Sequence, residues 1–289
     1  MIIRRDESLR TKTTFRIGGV AKRFYIPQTE RELIELVQSL VQEHISFKVL
    51  SGGSNLLVND KKSFDAIIYM GQAVDTITDN GCGNFYIGAS NRIQKVIRYV
   101  NSTEYGGFEE LIGLPALFGG IIYMNAGIGG RNSVKFNISD FVVRVKVLEI
   151  KTGKICWMDK NECDFGYRKS IFQKNNFVIL GADIVLHHQT KEQSEKRIKD
   201  RLQHCKDHQE WGKGCVGSCF SIYNGKILRI ISIFHKFVRK GIYQAENNVN
   251  WLVNNGAGTY DDAIHWINVC KLLHKITFQE IECEVRIWE

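Results

Sequence analysis

Apolar residues recur at helical spacing in some stretches of the chain and as short continuous runs in others, which predicts helices interleaved with strands. Arg23 to Pro27 reads as a short strand. Thr29-Glu30-Arg31-Glu32 has the form of a capping box, in which the Thr29 hydroxyl and the Glu32 carboxylate satisfy reciprocal backbone donors. It opens a helix with Leu33, Ile34, Leu36, Val37 and Leu40 at helical spacing. Phe47 to Leu50 returns as a strand and runs into Ser51-Gly52-Gly53-Ser54-Asn55, so the first unit predicts a right-handed crossover.

A second block has strands at Ala66 to Met70 and Asn84 to Ala89. It has a helix over Arg92 to Val100, with Ile93, Val96, Ile97 and Val100 on one side. Gly107 to Gly130 is rich in glycine and small apolar residues. Val142 to Lys151 and Lys154 to Met158 predict a hairpin around Thr152-Gly153, and Asn176 to His187 another strand. Beyond Thr190 the pattern changes to a charged helix, Lys191 to about Gln209, followed by a loop marked by Gly212, Gly214 and Gly217. Ile227 to Ile233 and Asp261 to about Ile276 predict helices, with a short strand at Trp251 to Val253 between them. Ile281 to Trp288 predicts a closing strand.

Composition adds limits. The 289 residues are 44% hydrophobic and 24% charged, an ordinary globular balance for two or three small domains. The N-terminus lacks the apolar core of a signal peptide and no apolar run reaches membrane-spanning length, so the expectation is a cytoplasmic protein without a membrane partner. Eight scattered cysteines, none in Cys-x-x-Cys, read as reduced thiols. The net charge of +8 suits an anionic partner. Nucleic acid is one candidate and a phosphate-bearing substrate or cofactor fits equally well; the basic residues of Lys191 to Arg201 alternate with acids, as on a solvated helix face, and charge alone does not decide.

Two loops carry candidate chemistry. Consecutive glycines in Ser51-Gly52-Gly53-Ser54-Asn55 let backbone N–H groups approach a diphosphate, with Ser54 and Asn55 as added donors. Its spacing matches neither a dinucleotide fingerprint nor a Walker A loop, and by itself it also reads as a Gly-rich turn. Gly113 to Gly127 places Gly119, Gly120, Asn125, Ala126 and Gly127 where a flat ring or a diphosphate could lie on main chain, or where a turn could pack tightly. His204 and His208 with Cys215 and Cys219 offer zinc-ligand types, but their spacing is not that of a zinc motif and a charged helix end is the favoured reading.

Taken in order, Thr13 to Gly19, Ser51 to Leu56, Gly113 to Gly127, Gly166 to Phe172, Gly217 to Phe220 and Ile281 to Arg286 resemble six motifs of the UDP-N-acetylenolpyruvoylglucosamine reductases, shorter branch. The resemblance implies an α+β fold: a two-part FAD-binding region of the vanillyl-alcohol-oxidase type and a C-terminal α+β substrate domain. The implied boundaries are 1–62 and 63–189 for the flavin, 190–277 for the substrate, and 278–289 returning to the flavin region. It implies FAD as cofactor, NADPH as hydride donor, a nucleotide sugar as substrate, and a monomer. By position it makes Arg168 the partner of a substrate carboxylate, Ser218 the proton donor and Glu284 the C-terminal catalytic carboxylate. Without the resemblance Arg168 could equally cap a turn or pair with Asp164, and Ser218 and Glu284 could be ordinary surface groups.

The chain departs from the pattern after Phe220, where Lys-Asn-Pro is expected and Ser221-Ile222-Tyr223 stands. It has Phe237 to Tyr243 in place of a Gly-rich stretch, and Asn248-Val249-Asn250-Trp251 in place of His-Ala-Asn-Phe. Two readings follow: a divergent reductase that anchors the diphosphate through other groups such as Lys213, Arg239 or Lys240, or a paralogue with another substrate. A flavin-binding relative without turnover is a third.

Overall fold

The computed structural model describes residues 1–174, 176–210, 212–235 and 241–289, and divides into two compact units. The first comprises Met1–Asp6, Lys22–Gly52 and Phe64–Leu202; the second comprises Glu7–Ala21, Gly53–Ser63 and Gln203–Glu289. The mixture of helix and sheet is the α+β class expected.

The first unit holds most of a four-stranded sheet in the order Ile2–Ser8, Val20–Ile26, Ser63–Tyr69, Phe47–Leu50, whose last two strands are parallel. The strands flanking the first helix are therefore not neighbours: Ser63–Tyr69 is inserted between them. That helix, Glu30–Gln42, buries Leu33, Leu36, Val37 and Leu40. Thr29 caps it, accepting from the Glu32 N–H at 3.2 Å. The Glu32 carboxylate does not complete the box. One oxygen accepts from the Gln28 N–H at 2.8 Å and the other from the Met1 ammonium at 2.6 Å, so both are engaged outside the cap.

A five-stranded antiparallel sheet follows, in the order Lys154–Asp159, Val142–Glu149, Phe177–Val185, Asn84–Gly88, Ile77–Asp79. The expected hairpin is present, with Glu149 paired to Lys154 and Gly153 at φ +66°, the left-handed conformation a tight turn demands. The helix Ile93–Ser102 buries Ile93, Val96, Ile97 and Val100. The charged helix Lys191–His208 is less solvated than its composition suggests. Ser194 is fully buried, and Arg197 reaches Glu109, itself 1% exposed, at 2.7 Å.

The second unit is built on a three-stranded antiparallel sheet, Gly214–Ser218, Trp251–Asn254, Ile242–Gln244. The helices Gly225–His235 and Tyr260–Ile276 accompany it. Its core gathers Phe15, Phe220, Leu228, Leu252 and Trp266, with the Phe220 and Trp266 rings 5.4 Å apart. The glycine-marked loop expected at 212–217 is thus largely a strand; its small residues show no apolar alternation to betray it. The closing strand is two short ones. Glu282–Cys283 pairs with Phe220–Ile222, and Arg286–Trp288 runs parallel to Leu56–Val58.

Candidate active site

In the first unit the loop after Phe47–Leu50 lies against residues 115–120. A Cβ on Gly52 would stand 2.9 Å from the Pro115 carbonyl oxygen, and one on Gly120 would stand 2.8 Å from Ser51 Oγ. A Cβ on Gly119 would stand 2.9 Å from the Ala89 Cβ. Ser51 Oγ is buried and has no hydrogen-bond partner among the described residues. Leaving such a hydroxyl unsatisfied costs about 1–3 kcal/mol, a cost that an anionic oxygen beside it would remove. The Gly52 N–H likewise donates to no carbonyl or side chain among the described residues.

The Asn125-Ala126-Gly127 segment serves the site differently. Asn125 is 2% exposed at φ +43°; its Nδ2 donates to the Gly166 carbonyl at 2.8 Å and its Oδ1 accepts from the Ser139 N–H at 3.1 Å. Ala126 uses its N–H on Ile121 O and its carbonyl on the Ile138 N–H, at 2.9 and 2.8 Å. A Cβ on Gly127 would stand 2.8 Å from Asn137 Cα. With these groups engaged internally, the segment offers a ligand shape more than hydrogen bonds.

The same segment receives Arg168. Gly166 and Lys169 exchange both backbone hydrogen bonds at 3.1 Å, so Tyr167 and Arg168 form the tip of a tight turn. Arg168 sits there at φ +58°, a conformation that costs a residue with a Cβ about 1–2 kcal/mol. Its Nη2 donates to Gly127 O at 2.9 Å, and its guanidinium lies 4.8 Å from the Tyr167 ring centroid. A strained, half-buried cation at a turn tip is the kind of outlier that functional sites retain.

The second unit contains Gly53, Ser54 and Asn55 together with Ser218 and Glu284. Gly53 lies at φ +64°, where a Cβ would strike the Lys12 carbonyl; its own carbonyl accepts from the Thr14 N–H at 3.1 Å. The Gly53 and Ser54 N–H groups donate to nothing among the described residues. Asn55 does more than was expected of a phosphate donor. Its Nδ2 donates to the Glu284 carbonyl at 3.2 Å and its own carbonyl accepts from the Arg286 N–H at 3.1 Å.

Ser218 ends its strand opposite Trp251, beyond a register shift after Cys215 that includes Gly217 at φ +78°. Trp251 Nε1 donates to Ser218 Oγ at 3.1 Å. The next residue, Cys219, accepts at its carbonyl from the N–H groups of Glu284 and Val285, at 2.8 and 3.3 Å. That interruption divides the closing strand and sets Glu284 beside the Ser218-Cys219 step. Asn250, 2% exposed, pins the adjoining chain: its Oδ1 accepts from the Phe220 N–H at 3.0 Å and its Nδ2 donates to Phe220 O at 2.8 Å. Neither Asn250 nor Trp251 was singled out from sequence for a role, although both fall in a segment aligned with an expected motif.

Residues 21–159 match the family model described as "FAD binding domain". This span holds Ser51 to Asn55 and Gly113 to Gly127, and the chain binds FAD. The orphaned Ser51 hydroxyl and the glycines that admit no Cβ suit a diphosphate laid on main chain. A UDP-N-acetylenolpyruvoylglucosamine reductase of Thermotoga sp. (strain RQ2) is 28% identical over 99% of this chain and 93% of its own length. One of Caldanaerobacter subterraneus is 29% identical over 98% and 92%. The chain is a homologue of these reductases. The crystal structure of a UDP-N-acetylenolpyruvylglucosamine reductase from Thermus caldophilus covers all of both chains at TM-score 0.78 and 22% identity, which shows the fold. An alkyldihydroxyacetonephosphate synthase shares it over 64% of this chain and 37% of its own, at TM-score 0.50 and 12% identity. The chain is an FAD-dependent oxidoreductase of the reductase type.

As a reductase homologue it departs where the sequence indicated. Lys213, considered as a substitute anion anchor, pairs with Glu210 at 2.7 Å and lies 5.5 Å from the Tyr243 ring, contacts that hold its ammonium well above the usual lysine range. Arg239 and Lys240 lie outside the described residues. Ser221 Oγ is 3.5 Å from the Glu282 carbonyl. His204 and His208 stack at 4.3 Å, and all eight cysteines are free. Burial raises the thiols near Ser218, Cys215 to about 11 and Cys219 well above the usual range, so neither is a ready nucleophile.

Proposed function

We propose that the chain uses NADPH to reduce the enolpyruvyl ether of UDP-N-acetylglucosamine to UDP-N-acetylmuramate, acting as a cytoplasmic monomer in peptidoglycan precursor synthesis. In this reading residues 1–62 and 63–189 carry the flavin, 190–277 carry the nucleotide sugar, and 278–289 bring back Glu284. The bound flavin supplies the hydride that adds to the methylene carbon of the enol ether. Arg168 pairs with the substrate carboxylate, toward which charge builds as the hydride arrives. Ser218 gives its proton to the neighbouring carbon as general acid. Glu284 contributes to the polarising site and, when protonated, donates a hydrogen bond to the enolate.

The observation that carries this reading is that likeness to the reductases runs through almost the whole chain, beyond the FAD-binding match, and includes the segment where Glu284 is bonded to the residue after Ser218. Stopped-flow flavin absorbance tests it. NADPH should bleach the flavin, and the enolpyruvyl nucleotide sugar should restore it. The pairing of Lys213 with Glu210 and the Ser221-Ile222 pair favour a second reading, a paralogue with another substrate. Bleaching by NADPH without recovery on the enolpyruvyl sugar is its signature.

A further inference from the structure

We infer that Trp251 is a positioning residue for Ser218, which it orients and acidifies through its indole N–H. The inference rests on the proposed role of Ser218 as proton donor. An indole nitrogen only donates, so in the 3.1 Å bond Ser218 Oγ is the acceptor and its own proton must point elsewhere. Among the described residues that proton meets no acceptor, so the bond consumes a lone pair and leaves the hydroxyl free to donate. The orientation is set by the backbone. Ser218 and Trp251 are direct cross-strand partners, and the register shift after Cys215, with Gly217 in a left-handed conformation, turns Ser218 toward the indole.

The chemistry gives the bond a purpose. When Ser218 protonates the substrate carbon, the O–H bond breaks, a C–H bond forms, and the electron pair stays on Oγ as an alkoxide. A donor already aimed at that oxygen stabilises the charge as it forms and needs no rearrangement. The segment aligned with the expected His-Ala-Asn-Phe ends here in Trp251, and phenylalanine would have no donor to offer.

The test uses FAD-loaded protein and has two readouts. In protein carrying nitrogen-15 in its five tryptophans, the Trp251 indole resonance, assigned with W251F, should move upfield in S218A. An unmoved resonance overturns the inference. In stopped-flow, W251F should be reduced by NADPH at the wild-type rate but reoxidised by the enolpyruvyl sugar about 100-fold more slowly, at the low end for loss of an oxyanion donor. In an S218A background the same change should have no further effect. Equal reoxidation rates, or an equal loss with and without Ser218, would show that Trp251 only packs. Should W251F fail to fold, W251Y supplies the assignment and the S218A spectrum still decides whether the bond exists. A wild-type protein that the sugar cannot reoxidise would sink the reading beneath the inference, and the inference with it.

Discussion

The two regions that carry the candidate chemistry are made by different physics. Around Ser51, Gly52, Gly119 and Gly120 the determinant is absence: missing Cβ atoms let chain segments meet at distances no other residue allows, and a buried hydroxyl is left without a partner. Around Ser218 and Glu284 the determinant is register. A displaced strand pairing turns Ser218 toward Trp251, and one carbonyl, that of Cys219, takes the N–H groups of both Glu284 and Val285. A surface made by absence accepts a rigid ligand and tolerates little added volume. A surface made by register tolerates volume but depends on a few main-chain bonds.

That contrast can be broken experimentally. The largest effect is expected from S218A, which should leave flavin content and NADPH reduction intact while slowing flavin reoxidation about 10²–10⁴-fold, the span of general acid catalysis. Normal reoxidation would remove Ser218 from the mechanism. Next is R168G. It relieves about 1–2 kcal/mol of backbone strain and gives up a charge-assisted hydrogen bond to Gly127 worth about 1.5–3 kcal/mol, so the melting temperature should fall only slightly. Turnover should fall about 10–150-fold, for a lost charged contact of about 1.5–3 kcal/mol. A clear loss of thermal stability would instead make Arg168 a structural clamp.

G120V forces a side chain against Ser51 and should weaken FAD binding about 5–150-fold, for about 1–3 kcal/mol of overpacking. Fluorescence titration of the apoprotein would read it, and unchanged affinity would mean that the cradle is not where the diphosphate lies. The smallest effect is expected from N55A. Removing the bond to the Glu284 carbonyl should cost about 1 kcal/mol of stability and slow reoxidation a few-fold, with flavin reduction unaffected. Should FAD affinity fall instead, Asn55 would be a cofactor donor first and a positioning group second.

The flavin-side glycines were legible because a glycine pair after a strand leaves a mark in the one-letter code. The helices Glu30–Gln42 and Ile93–Ser102 were legible because periodicity records a buried face directly. The strand Gly214–Ser218 was missed because Gly214, Gly217 and Ser218 carry no apolar alternation, and its pairing with Trp251–Asn254 spans more than thirty residues of chain. The closing segment was expected as one strand because nothing in Ile281 to Trp288 foretells that Cys219 will interrupt its ladder. Asn55 shows the limit most clearly. Its residue type suggested a phosphate donor, while its side chain reaches a carbonyl 229 positions away.

By itself, then, the sequence determined the α+β class, the helices, the glycine-lined loops and the residue types available for chemistry, because each follows from local sterics or a short periodic pattern. Tertiary structure alone decided which strands pair, where the closing strand breaks, and which donors Ser218 and Glu284 meet. Those outcomes depend on long-range hydrogen-bond register, and a one-residue shift in register sends a side chain to the opposite face.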